Sequence, residues 1–118
     1  MVARFAGLLF CLSLVPAAAV AAPPETVDYV CRGGKTISAT YLSHREVGFV
    51  VLRWNGRDHG LAEAPSASGA RYASMAGTTP EQPGLEWWEH KGEATLSAFT
   101  GKDFFDTKPL LTECRPRK

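Results

Sequence analysis

The chain has 118 residues, 45% of them hydrophobic, with a formal net charge of +1 and three cysteines. That length allows one domain and excludes a TIM barrel, a dinucleotide-binding dehydrogenase or a multidomain enzyme. A near-neutral charge argues against a dedicated nucleic-acid binder, which carries a clear basic excess.

Residues 1–22 hold one positive charge, Arg4, then an apolar run from Phe5 to Val15, then small residues ending Ala19-Val20-Ala21-Ala22. This is the three-part pattern of a cleavable export signal, with cleavage expected after Ala21 or Ala22. The apolar run falls short of the roughly 20 residues needed to span a bilayer. Cys11 follows Leu8-Leu9-Phe10. The leucine stands at lipoprotein distance, but bulky Phe10 occupies the place where a small residue is needed. Cys11 therefore reads as part of the leader, and an outer-membrane lipid anchor through it is the less favoured alternative. The domain expected to remain is 23–118, 96 residues with 12 basic and 12 acidic side chains. It has no second apolar stretch of spanning length, so stable membrane insertion is not expected. Its two cysteines, Cys31 and Cys114, enter an oxidising compartment, where pairing is favoured. Closing so long a loop is worth roughly 4–5 kcal/mol in the chain-entropy model.

Strand signals dominate after Pro23-Pro24-Glu25. Val27, Tyr29 and Cys31 alternate with Asp28, Val30 and Arg32, and Ile37, Ala39 and Tyr41 alternate with Ser38 and Thr40. Between them Arg32-Gly33-Gly34-Lys35 predicts a two-glycine hairpin turn. Val47 to Trp54 is a third strand. Asn55-Gly56 is a strong hairpin signal, since both residues tolerate positive φ, and its return strand runs from Arg57 to Ala64. Pro65 to Gly69 reads as a loop, Ala70 to Met75 as a strand, and 76–84 as a long connection rich in helix and strand breakers. Leu85 to His90 and Glu93 to Phe99 form a pair joined by Lys91-Gly92, and a last strand spans Leu110 to Arg115. Eight short antiparallel strands close most economically into a small barrel, which removes exposed edges. The Cys31–Cys114 bridge would fasten the first strand to the last. An eight-stranded sandwich is the alternative.

Few residues offer chemistry. His44, His59 and His90 lack metal-ligand spacing, and a bridge leaves no free cysteine in the domain, so no metal or other cofactor is expected. Ser68-Gly69-Ala70 is not a strand-to-helix nucleophile elbow. Asp58, His59 and Ser68 could be assembled into a triad on paper, but a solvated histidine and a surface serine are the simpler reading. The tail Arg115-Pro116-Arg117-Lys118 reads as a solvated terminus. Between Glu25 and Cys114 acidic residues exceed basic ones, 12 to nine, which leans toward a basic partner.

Several segments together resemble a known family. Tyr29-Val30-Cys31, Ser66-Ala67-Ser68-Gly69-Ala70-Arg71-Tyr72, Trp87-Trp88-Glu89-His90-Lys91-Gly92-Glu93-Ala94-Thr95-Leu96 and the late Cys114 look like the bacterial c-type lysozyme inhibitors, membrane-bound and periplasmic (MliC and PliC). The resemblance runs in order over essentially all of 23–118, and it implies an eight-stranded barrel, no enzymatic activity of its own and c-type lysozyme as partner. It further implies that the serine of the Ser-Gly-x-x-Tyr loop, Ser68, and the lysine before the hairpin glycine, Lys91, enter the lysozyme cleft. Gly69, Tyr72 and Gly92 would then support those two loops. Without that family context Lys91-Gly92 is an ordinary hairpin tip and Ser68-Gly69 an ordinary loop. Trp87 and Trp88 are adjacent in a strand, so one faces the core and the other the outside; the sequence does not say which. The Tyr72–Trp87 stretch is longer than the family pattern leads one to expect, and the weak lipoprotein signal favours the soluble periplasmic branch. The competing functional class is a periplasmic binding module for a cell-envelope ligand or another protein, with a serine hydrolase a distant third.

Overall fold

The computed structural model describes Gly7 and residues 23–76, 82–101 and 106–118. The leader expected over 1–22, Cys11 included, lies outside these residues apart from Gly7, and so does 77–81 of the long connection. Eight strands follow one another: β1 (Glu25–Val30), β2 (Thr36–His44), β3 (Val47–Trp54), β4 (Arg57–Ala64), β5 (Ala70–Ala76), β6 (Pro83–His90), β7 (Glu93–Phe99) and β8 (Thr107–Pro116). Each pairs antiparallel with the next and β8 returns to β1, so the sheet is a closed barrel and not a sandwich.

Period-two patterning places the side chains. Tyr29, Cys31, Ile37, Ala39, Val50, Leu52 and Leu61 all point inward and are buried, as alternation along each strand requires. The β5–β7 wall contributes Leu85, Trp87 and Leu96, and Trp87 is the largest fully buried side chain. This filled interior is what eight strands can enclose.

The turns follow from backbone freedom. Asn55 and Gly56 both adopt positive φ, 52° and 73°, as the tight β3–β4 hairpin demands. The β1–β2 connection is a single 3-10 turn, Arg32–Gly34, closed by Gly34 N–H donating to the Cys31 carbonyl at 3.1 Å. β6 begins at Pro83, two residues earlier than the sequence pattern indicates, at a strand start where a missing N–H is tolerated. β8 starts at Thr107, ahead of the apolar Leu110.

The seam between β8 and β1 is short, with only Tyr29↔Pro116 and Val30↔Arg115 in register. The Cys31–Cys114 disulfide spans it, as the cysteine count anticipates. A bulge in β8 leaves Glu113 at φ 52° and turns its carboxylate outward, where the Arg32 guanidinium holds it by two hydrogen bonds of 2.9 and 2.7 Å.

Candidate functional site

The register of β5 against β6 decides where the two loops meet. Ala70 lies opposite Glu89, so the 65–69 loop preceding β5 stands beside the turn that follows β6. That turn is Lys91-Gly92, with φ of 52° and 78° and with His90 paired to Glu93 at its base. Two consecutive left-handed residues are the signature of a tight hairpin whose tip projects from the sheet. Ser68 and Lys91 are both exposed on this end of the barrel.

Gly69 makes the approach possible. Its φ is +71°, and a Cβ there would sit 2.0 Å from the Glu89 carbonyl oxygen. Only glycine lets the loop lie this close to β6. Ser68 is then held by three contacts. Its carbonyl accepts from the indole N–H of Trp88 at 3.0 Å and from the Ser66 hydroxyl at 2.5 Å, and its Oγ lies 3.2 Å from His90 Nδ1. The rings of Trp88 and His90 lie 5.3 Å apart at 39°. Trp88 is therefore the outward tryptophan, 39% exposed, while Trp87 is fully buried.

Beneath the loops, polar groups meet inside the barrel. Tyr41 and Tyr29 donate to Glu89 Oε1 at 2.6 and 3.0 Å, and the Trp87 indole N–H donates to the Tyr41 oxygen at 3.0 Å. Burial, with the Glu89 charge adding to it, pushes the Tyr29 phenol up to about 12 and that of Tyr41 further up. Tyr72, whose ring lies 5.9 Å from that of Tyr41, is also raised, by burial first and then by the Glu89 and Glu63 carboxylates. Tyr72 packs against the barrel core beside Tyr41, two residues along β5 from Ala70. A cavity of about 290 Å³ opens between Tyr29, the 89–93 hairpin and Pro116.

A second cavity, of about 530 Å³, lies at the other end of the barrel, among Trp54, His59, Leu61, Leu85 and Leu110. Asp58 and His59 sit on that end, at the β3–β4 hairpin, with Asp58 accepting from Arg53 at 3.0 Å. The structure does not bring them to Ser68, so that triad does not form. The histidine that does reach Ser68 is His90, which the sequence reading left among the scattered ones. Its second ring nitrogen has no carboxylate partner among the described residues, so the pair lacks the orienting third group of a nucleophile triad. Among the described residues no cluster of three or more His, Cys, Asp or Glu could hold a metal ion, and no helix is long and apolar enough to cross a membrane. His90 and Glu89 had a faint signal in sequence, as polar residues directly after two tryptophans in a strand. Nothing local tied either to its partner.

Residues 29–104 match the MliC family model, described as membrane-bound lysozyme-inhibitor of c-type lysozyme. The chain is 31% identical over 93 residues to a membrane-bound lysozyme inhibitor of C-type lysozyme from Cupriavidus necator, which covers 79% of this chain. It spans 66% of that relative's length. Among solved structures it resembles PliC-St, the periplasmic lysozyme inhibitor of C-type lysozyme from Salmonella typhimurium, with a TM-score of 0.61 and 16% identity. That alignment covers 81% of this chain and all of the other, and at this identity it speaks to the fold.

Proposed function

Since the chain belongs to the MliC family of lysozyme inhibitors, we propose that it inhibits a c-type lysozyme, with the Ser68 loop and the Lys91 hairpin entering the enzyme's active-site cleft. The observation that carries this reading is the placement of those two exposed residues side by side on one end of the barrel, enforced by the Ala70↔Glu89 register and by Gly69.

The chemistry is complementary. Lysozyme works through two carboxyl groups, one a protonated general acid with a raised pKa and one ionised. An ammonium brought between them pairs with the ionised group and favours ionisation of the acid, which removes the proton that catalysis needs. A serine hydroxyl can donate to either carboxylate. The hairpin tip also occupies the space of the polysaccharide. Such inhibition is non-covalent, with no catalytic role for the chain. An export signal over 1–22 would deliver the domain 23–118 to the periplasm, where N-terminal sequencing should begin near Pro23; a lipid-modified Cys11 at the terminus would overturn that placement.

Cell-wall lysis by a vertebrate c-type lysozyme, followed with increasing inhibitor, tests the proposal. Wild-type protein should abolish lysis near equimolar ratio. Lys91→Ala removes the charged partner and should weaken inhibition by about thirtyfold or more, and Ser68→Ala by roughly tenfold. Undiminished lysis at stoichiometric wild-type protein would sink the function. Full inhibition by both variants would leave the function and remove the mechanism.

A further inference from the structure

Ser68 carries half of the proposed contact, and its hydroxyl is already engaged by a titratable group, with Oγ 3.2 Å from His90 Nδ1. A serine hydroxyl has one hydrogen and two lone pairs. Against neutral imidazole protonated on Nε2, that hydrogen points at His90 Nδ1, and the hydroxyl turns only lone pairs outward. Against imidazolium, both ring nitrogens donate. Nδ1–H then donates to Ser68 Oγ, and the serine hydrogen is released toward whatever lies in front of it.

We propose that His90 is a positioning residue for Ser68, its protonation turning the serine O–H outward so that binding to a carboxylate-bearing cleft strengthens in acid. This rests on the inhibitory reading above and deepens it. Histidine is the side chain that changes charge between pH 5 and 8. The Ser68 main chain stays in place while its hydroxyl turns, because the Trp88 indole N–H holds its carbonyl and the His90 ring lies against Trp88.

The neighbouring charges are committed elsewhere. On β6, Glu89 points into the barrel and accepts from Tyr29 and Tyr41. On β7, Glu93 stands opposite His90 in register but is held by Arg115 of β8. On β5, Arg71 is paired with Glu86 at 2.6 Å. The 65–69 loop has no ionisable side chain. Lys91 is the remaining charge, and it and an imidazolium would face the same carboxylates together.

Calorimetric dissociation constants for a vertebrate c-type lysozyme, taken at about pH 7.5 and about pH 5.5, test the proposal. Wild type, His90→Gln and His90→Phe are compared, so that titration of lysozyme's own carboxyl groups is common to all three and cancels. Gln keeps a hydrogen-bonding amide without the charge; Phe keeps the ring against Trp88 without the hydrogen bond. The tightening of wild type on going to acid should exceed that of His90→Gln by about threefold or more, with His90→Phe behaving like His90→Gln. Equal pH ratios in wild type and His90→Gln, or a larger gain in the variant, would overturn the proposal. Thermal melts report whether each variant folds, and His90→Gln alone decides the matter if His90→Phe does not. Wild type that binds at neither pH removes the inhibitory reading itself, an outcome distinct from equal ratios.

Discussion

Gly69 and Gly92 both have positive φ, yet the structure assigns them different tolerances. Around Gly92 there is open space, so Gly92→Ala meets only the left-handed backbone strain, about 1–2 kcal/mol. At Gly69 the same strain is joined by a collision with the Glu89 carbonyl, which belongs to backbone that cannot swing away. Gly69→Ala should therefore lower the melting temperature more than Gly92→Ala, whose cost corresponds to about 4–8 °C per kcal/mol in a domain of this size. It should also move Ser68, so its loss of inhibition should resemble that of Ser68→Ala. Equal melting temperatures for the two alanine variants would contradict this account. Lys91 offers a cleaner separation of charge from backbone. Its φ of 52° is one that glycine adopts freely, so Lys91→Gly should keep the hairpin and the melting temperature while losing inhibition.

At the level of elements, Glu89 ties β6 to β1 and β2 across the lumen, and the tyrosines it accepts from are kept protonated by their surroundings. Tyr41→Phe deletes the hydroxyl that donates to Glu89 and accepts from buried Trp87 N–H. Leaving those groups unpaired should cost about 1–3 kcal/mol in chemical denaturation. The network also has a pH signature. All three tyrosines of the chain have phenols pushed above the ordinary value of 10, Tyr29 to about 12. A group with a raised folded-state pKa contributes stability that is present below the unfolded value and is lost as pH rises toward the folded one. Stability should thus be level up to about pH 10 and fall between about pH 10 and 12. Tyrosinate absorbance should lag behind that of free tyrosine and rise with unfolding. A full phenolate signal near pH 10 in the folded protein would show that the network is absent.

For the whole molecule, the β8–β1 seam is where closure is weakest. Two register pairs, Arg117 N–H donating to the Asp28 carbonyl at 2.7 Å and the exposed Arg32–Glu113 pair hold it apart from the disulfide. The Cys31–Cys114 bridge joins positions 83 residues apart, and a loop of that length constrains the unfolded chain by roughly 4–5 kcal/mol. Reduction, or Cys31→Ser with Cys114→Ser, should lower the unfolding free energy by most of that amount. The oxidised protein should weigh two hydrogens less than the reduced one. The Lys91 hairpin borders the seam at Tyr29 and Pro116, but it and the Ser68 loop are set by the β6–β7 and β5–β6 registers, so a reduced chain that still folds should retain inhibition. Its loss at temperatures well below the melt would show that the seam positions the loops after all.

The sequence by itself determined the eight strands and favoured a barrel, while the β8–β1 pairing decided against the sandwich. Alternation is a property of each strand alone, so Tyr29 and Cys31, and Ile37 and Ala39, could be grouped on one face of their strands, and Asn55-Gly56 and Lys91-Gly92 could be assigned to turns, before any pairing was known. The even cysteine pair followed from counting once the expected leader over 1–22 was set aside. Ser68 and Lys91 were legible through family resemblance; as isolated residues each was an ordinary loop position. Tertiary structure alone decided that Trp88 and not Trp87 faces outward, that His90 is the histidine that reaches Ser68, and that Glu89 gathers two tyrosines from across the lumen. The reason is one of range. A strand's own pattern reports which face a residue takes, but the Tyr41–Glu89 and Tyr29–Glu89 contacts join residues 48 and 60 apart. Only register and barrel closure bring such residues within hydrogen-bonding distance.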